Sequence, residues 1–281
     1  MKKTFFLFFL SLAMISNAQD NNAQALFYNI GLGAVTGGIG AMINKQPQEK
    51  IDKVFLKGLS QGALGGAVVY GSKQMVYNFH KNEHYNQLWM AKMVAATGTS
   101  IIENAALNNN FWETWHINIG FNRLEVDIKN SFKIKYQVMP VAFIGTISAA
   151  TKGNFNLKYS LQTLTPIFIA EDENYYDTTT LVNSIVITEN RGIKRNLAHE
   201  YIHTLQYDDY MVFNSFFYKP KTKWQQKSNF INKTSKWIYM DLPGGATLRS
   251  LYLLENINQD CYFDNFFESE ANFYSNKFTC P

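Results

Sequence analysis

The chain has 281 residues, 46% of them hydrophobic and 15% aromatic, which is enough apolar side chain for one large domain or two small ones with a packed core. Charged residues make up only 17%, and the formal charge of +4 has no block of consecutive basic residues behind it. Such a balance excludes disorder and argues against nucleic acid as a partner.

The first stretch reads MKKTFFLFFLSLAMISNAQD. Lys2 and Lys3 precede an apolar run from Thr4 to Ile15, and Ser16 and Ala18 stand at −3 and −1 of a cut before Gln19. The run is too short to span a bilayer. Residues 1–18 are therefore expected to be a secretory signal, and the protein to be periplasmic, envelope-associated or secreted. No Cys follows the cut, so a lipid anchor is not expected. In an oxidising compartment Cys261 and Cys280 can pair. The loop closed would be about 20 residues, worth roughly 3 kcal/mol in the chain-entropy model.

Residues 19–110 form a Gly-rich region that reads as helices. Gly33, Gly37 and Ala41 recur every fourth residue, as do Gly58, Gly62 and Gly66, and then Ala91, Ala95 and Thr99. Small residues at this spacing make a smooth face on which two helix backbones approach closely. Glycine costs about 1 kcal/mol per helix position, so this many need a packing reason. Pro47, inside KQPQEK, breaks the first two helices into a hairpin. The glycine-zipper pattern also allows membrane association through residues 26–106, although Lys57, Lys92 and Glu103 are expensive inside a bilayer.

From Trp112 to about residue 190 the period changes to two. WHINIGFNRLEVDI, SFKIKYQVM, AFIGTISAA and FNLKYSLQTLTPIFIA read as strands with turns at KNS and TKGN, and NSIVITEN is a further strand. About five strands are too few to close an outer-membrane barrel. A helix over 193–208 follows, and then mostly helix to residue 281. The expected fold is α+β: a Gly-rich helical bundle, then an antiparallel-rich sheet packed with a long helix and C-terminal helices. Residues 111–281 form the second domain.

The long helix carries LAHEYIHTLQ. His199 and His203 are four apart, so both imidazoles leave one face a turn apart and reach one ion. Glu200 points slightly aside, which suits a general base acting on metal-bound water. Leu197, Ala198, Tyr201, Ile202 and Leu205 surround the pair with apolar surface. A catalytic zinc needs a third protein ligand and an open position. Glu268 and Glu270, in CYFDNFFESEANFYSNKF, are the candidates. Two helix positions differ by about 200° of rotation, so only one of them faces the ion. Glu268 is favoured, because Ala271 at i+3 allows close packing and Asn272 at i+4 can support a ligand.

HEYIHTLQ with a later ESEAN resembles the zinc metallopeptidases of the gluzincin type, which join His-Glu-x-x-His to a Glu on a following helix. The resemblance implies a zincin-like metallopeptidase domain, Zn2+ held by His199, His203 and Glu268, and Glu200 as catalytic base. It also implies a peptide or protein substrate lying on a strand edge, for which Ser184–Thr188 is the candidate. Gln206, three after the second His, resembles the His-x-x-Gln of some related families. Tyr207, Tyr210, Arg249 and Tyr252 are candidate oxyanion donors. A second motif, His80-Lys-Asn-Glu83-His84, fits the inverted order but sits in polar, Asn-rich surroundings that favour a solvated loop. His116 reads as a strand histidine beside the aromatic core. The alternative to a hydrolase is a membrane-associated structural or interaction protein with a non-catalytic zinc site. Oligomeric state is not legible.

Overall fold

The computed structural model describes residues 21–170, 178–188, 193–257 and 261–275. The expected signal at 1–18 lies outside the described residues, and so does Cys280, one end of the expected bridge.

Three helices open the fold: α1 (Asn22–Asn44), α2 (Ile51–Asn82) and α3 (Asn86–Ala106). The glycine spacing has a direct consequence here. A Cβ added at Gly62 would collide with the carbonyl oxygen of Gly33, and one at Gly66 with that of Asn29. The stripes on α1 and α2 thus face each other, and only hydrogen fits between the backbones. Helix α1 is the one described helix long and apolar enough to cross a membrane by length and composition. In this fold it packs against α2 and α3.

Strands β1 (Thr114–Ile119), β2 (Asn122–Asp127) and β3 (Lys133–Val138) form an antiparallel sheet in that order. The next segment differs from expectation: AFIGTISAA lies in helix α4 (Pro140–Ala150). Pro140 starts this helix with its φ preset. The two carboxylate oxygens of Asp241, a hundred residues away in sequence, accept its first N–H groups, from Val141 and Ala142, at 3.1 and 3.0 Å. The stretch 155–170 is also not one strand. It divides into β4 (Asn154–Phe155), α5 (Leu157–Thr163) and β5 (Ile167–Ala170). The Asn156 side chain caps α5 by accepting from the Tyr159 amide at 3.0 Å. Leu164 ends it in the left-handed region, with Pro166 beyond.

Strands β6 (Thr179–Leu181) and β7 (Ser184–Thr188) complete a mixed sheet of order β4-β5-β7-β6, with β5 and β7 parallel. Both central strands are buried along their whole length, as parallel strands covered on two sides should be. Ile167, Ile169, Ile185 and Ile187 meet Leu197, Tyr201 and Leu205 of α6 (Ile193–Met211). Phe168 and Val186, on the opposite face, pack with Ala149 of α4. Helix α6 runs three residues beyond the expected 208. After a 3-10 turn come α7 (Tyr218–Lys227), α8 (Asn229–Thr234), α9 (Leu242–Asn256) and α10 (Phe266–Ser275).

Buried ion pairs join the helical region to the residues after 110. Buried Lys73 of α2 reaches Asp209 of α6 at 2.8 Å and Glu270 of α10 at 2.9 Å, and its ammonium donates to Asn29 at 3.0 Å. Burial alone would discharge this amine, but the two carboxylates raise its pKa instead. Buried Lys92 of α3 meets Asp208 at 2.7 Å and donates to Asn183 at 3.2 Å. A buried Arg–Glu pair holds the first sheet as well. Arg123, fully buried, lies 3.0 Å from Glu103 and 4.0 Å from the Tyr239 ring centre. His116 sits in β1 beside the Thr99 and Ser100 hydroxyls and Glu103, not among aromatic rings.

Two stability outcomes follow from this packing. Gly62→Val should destabilise the fold by about 1–3 kcal/mol through forced separation of α1 and α2. Gly71→Ala, where an added Cβ meets nothing within 4 Å, should instead gain about 0.4–1 kcal/mol. Denaturant unfolding measures both. Lys73→Met strands two buried carboxylates and should cost about 3–5 kcal/mol near neutral pH. Burial already pushes Asp209 up to about 6 against the pull of Lys73. Without the lysine that pKa rises further above its unfolded value, so the folded state favours the protonated acid. The variant should therefore lose stability as pH rises from 5 to 8, as followed by thermal unfolding.

Candidate metal centre

Helix α6 carries His199 and His203 one turn apart, with ring centres 4.8 Å from each other and planes 81° apart. The Nε2 atoms are 3.2 Å apart, and Glu268 Oε2 lies 3.2 Å from the first and 3.5 Å from the second. Ligand atoms about 2.0–2.1 Å from a tetrahedral ion are separated by roughly 3.3–3.4 Å. The three donors therefore already stand at the corners of one such face, and this group could hold a metal ion. Among the described residues it is the one cluster of three or more such side chains that meets this condition.

Why Glu268 and not Glu270 is a matter of helix rotation. Ala271 is fully buried and lets α10 lie close on α6. Glu268 then faces the imidazoles, while Glu270 turns to Lys73 and Gln206. The support expected from Asn272 is not found: it is buried, and neither of its side-chain polar atoms has a partner.

The surroundings orient the ligands. Gln206 Oε1 accepts a hydrogen bond from His203 Nδ1 at 2.8 Å. In the neutral ring that contact holds the proton on Nδ1 and leaves the Nε2 lone pair free to bind an ion. The amide nitrogen of Gln206 donates to Glu270 Oε2 and to the Phe267 carbonyl, both at 2.9 Å. A continuous chain of hydrogen bonds thus runs from His203 through Gln206 and Glu270 to Lys73. On the other side, Glu268 Oε1 accepts from the hydroxyls of Tyr262 at 2.7 Å and Tyr252 at 2.9 Å. Burial would raise the Glu268 carboxyl, but hydrogen bonds from His199, His203 and Tyr262 hold it well below the usual carboxylate range. Burial would lower His203, yet the hydrogen bond and charge of Glu268 bring it up to about 9.

The cluster lies at the wall of a cleft of about 1210 Å³. Glu200 lines the same cleft, 5% exposed, and Thr180 Oγ1 sits 2.9 Å from its Oε2. Thr180 belongs to β6, and residues 178–182 form one wall. This corrects the expected substrate edge. Ser184–Thr188 is an interior strand, flanked by β5 and β6, and among the described residues β6 is the outermost strand on that side of the sheet.

The candidate oxyanion donors separate. Tyr210 turns away to Tyr28, 3.3 Å between hydroxyls, and does not line the cleft. Tyr207 does line it, but its hydroxyl donates to Asp241 at 2.9 Å. Tyr252 is engaged with Glu268, and Arg249 lines the cleft. Tyr262 and Thr180 escaped sequence reasoning, since one lies in a 3-10 turn and the other in a three-residue strand, neither with a periodic pattern. His80 and Glu83-His84 fall at the end of α2 and in the turn to α3, with Glu83 and His84 exposed.

Comparison of the chain with protein-family models, with curated proteins and with solved structures finds no match.

Metal titration checks the cluster residue by residue. His199→Ala, His203→Ala and Glu268→Ala should each abolish stoichiometric binding, whereas Glu270→Gln should keep it. Gln206→Leu should weaken affinity by about 10–100-fold, as loss of a ligand-orienting partner does, measured by competition with a chromophoric chelator.

Proposed function

We propose that the protein is an exported zinc-dependent peptidase, with a zincin-like active site of the gluzincin type. The observation that carries this reading is the convergence of His199, His203 and Glu268 on one point, at tetrahedral spacing, beside a cleft that Glu200 also lines. Two imidazoles and a carboxylate are a donor set that suits zinc. A structural zinc site is closed by four protein ligands, whereas three ligands at an open cleft leave a position for water or substrate.

When bound there, zinc supplies a water acidified to a pKa of about 7 and a Lewis-acid contact for the substrate carbonyl. Glu200 takes the proton of the attacking water on its carboxylate and returns it to the leaving amine. Thr180 holds that carboxylate toward the cleft by its hydrogen-bond contact with Oε2. The outer edge of β6 offers backbone N–H and C=O groups to an extended peptide, which would add as a further strand. Arg249, Tyr252 and Tyr262 line the cleft and are the candidates for stabilising charge on the scissile carbonyl oxygen or on a substrate carboxylate.

Glu200→Gln should reduce cleavage of casein or a peptide library by about 10²–10⁴-fold while bound zinc stays near one per chain. Unchanged cleavage, or cleavage in the wild type that survives a chelator, removes this mechanism.

A further inference from the structure

Between α1, α2, α3 and α6 the fold keeps a cavity of about 10 Å³. Its polar walls are Asn29 and Thr36 of α1 and Asp209 of α6, and Leu32, Val69, Ile102 and Val212 make most of the rest apolar. Asn29 is fully engaged: its amide nitrogen donates to the Ala25 carbonyl at 2.8 Å, and its oxygen accepts from Lys73 at 3.0 Å. The other two are not. Thr36 is 1% exposed and Asp209 4%, and neither Thr36 Oγ1 nor Asp209 Oδ1 has a hydrogen-bond partner. We propose that this cavity is a binding site for one water molecule, which joins Thr36 of α1 to Asp209 of α6 by hydrogen bonds to both.

The threonine is the more telling of the two. A helical threonine can satisfy its hydroxyl locally, by donating to the carbonyl one turn back. Thr99, Thr146, Thr163 and Thr247 all do so in this fold, at 2.8–3.0 Å. Thr36 forgoes that bond although it is almost completely withdrawn from water. Asp209 shows the same pattern on the other wall. Its Oδ2 is held by Lys73 at 2.8 Å, while Oδ1 is left over on a fully withdrawn carboxylate. Two polar atoms without partners on one small cavity are two desolvation penalties that a single shared ligand removes.

Size and chemistry select the ligand. The volume is that of about one water molecule. A hard metal cation needs about six oxygen ligands, and this site offers a carboxylate oxygen and a hydroxyl among apolar walls. An anion would face the Asp209 carboxylate. Water donates one proton to Asp209 Oδ1 and shares a second hydrogen bond with Thr36 Oγ1, in whichever sense the hydroxyl turns. A donor at Oδ1 also favours the charged carboxylate, which burial otherwise pushes up to about 6. The bridge gives α1 a second polar joint to α6, beside the one that runs from Asn29 through Lys73, and it does not depend on what the cleft does.

A high-resolution crystal structure of the full chain tests it together with thermal unfolding. The density should show one water within hydrogen-bond distance of both Thr36 Oγ1 and Asp209 Oδ1. Thr36→Ser should keep that water and Thr36→Val should lose it. The sign of the stability change is a separate readout. If water satisfies the hydroxyl, Thr36→Val strands the carboxylate oxygen and lowers the melting temperature by about 2–6 °C at mildly alkaline pH, where Asp209 is charged. If the hydroxyl has no partner, the same substitution removes a buried polar group and raises the melting temperature. A Thr36 hydroxyl bonded directly to Asp209 or back to the Leu32 carbonyl overturns the proposal, as does a site with no density between them. A melting temperature that Thr36→Val leaves unchanged or raises overturns it as well, since the water then joins nothing.

Discussion

An ammonium group withdrawn from water must meet a carboxylate, and two lysines in this fold are withdrawn almost completely. Lys73 and Lys92 come from different helices of the Gly-rich region, and their partners, Asp209 and Asp208, are consecutive residues of α6. Consecutive positions on a helix point about 100° apart. One lysine therefore grips α6 from the side of α1, α2 and α10, and the other from the side of the two sheets. Lys92 shares Asp208 with Asn118 of β1, and Asn183, which holds the same ammonium, donates to the Gly120 carbonyl. Removing either cation would leave its carboxylate buried and uncompensated, far costlier than losing a surface pair.

The glycine stripes make this clamp possible. Lys73 lies about two turns beyond Gly66 on α2, and Asn29 of α1, whose backbone carbonyl bars any side chain at Gly66, also accepts from Lys73 through its side-chain oxygen. With ordinary side chains between α1 and α2, Asn29 would stand several ångström further off. The same lysine then reaches the candidate metal centre through Glu270, Gln206 and His203. Glu268 and Glu270, two positions apart on α10, divide the labour: one faces the imidazoles and the other fixes the helix to the bundle. A rotation of α10 that served one of these contacts would break the other, which locks the Glu268 carboxylate in place.

Much of this arrangement was legible in the residues, where the information is local. Helix periodicity, the glycine spacing and the His199–His203 separation each depend on a single element, and rotation about one helix axis showed that Glu268 and Glu270 could not both face the imidazoles. What escaped reading depends on partners distant in sequence. AFIGTISAA has the β-branched and aromatic content of a strand, yet Asp241 caps it as a helix from a hundred residues away. Ser184–Thr188 has the composition of the better strand, but its burial between β5 and β6 is a property of the sheet order and not of the segment. The role of Gln206 requires Glu270 to stand beside it, which no spacing within α6 could reveal.

The β1–β2–β3 sheet, polar on its inner face, follows from the same economy of charge. Arg123 enters the interior and must find Glu103, Glu125 and the Tyr239 ring, and His116, pushed well below its usual pKa by burial, sits beside the Thr99 and Ser100 hydroxyls. A strand has only two faces. Once the inner face is given to this polar layer, the alternate positions Leu124, Ile134 and Tyr136 have nowhere to go but outward. The burial of one arginine and the exposure of an isoleucine eleven residues later are two sides of one strand pairing.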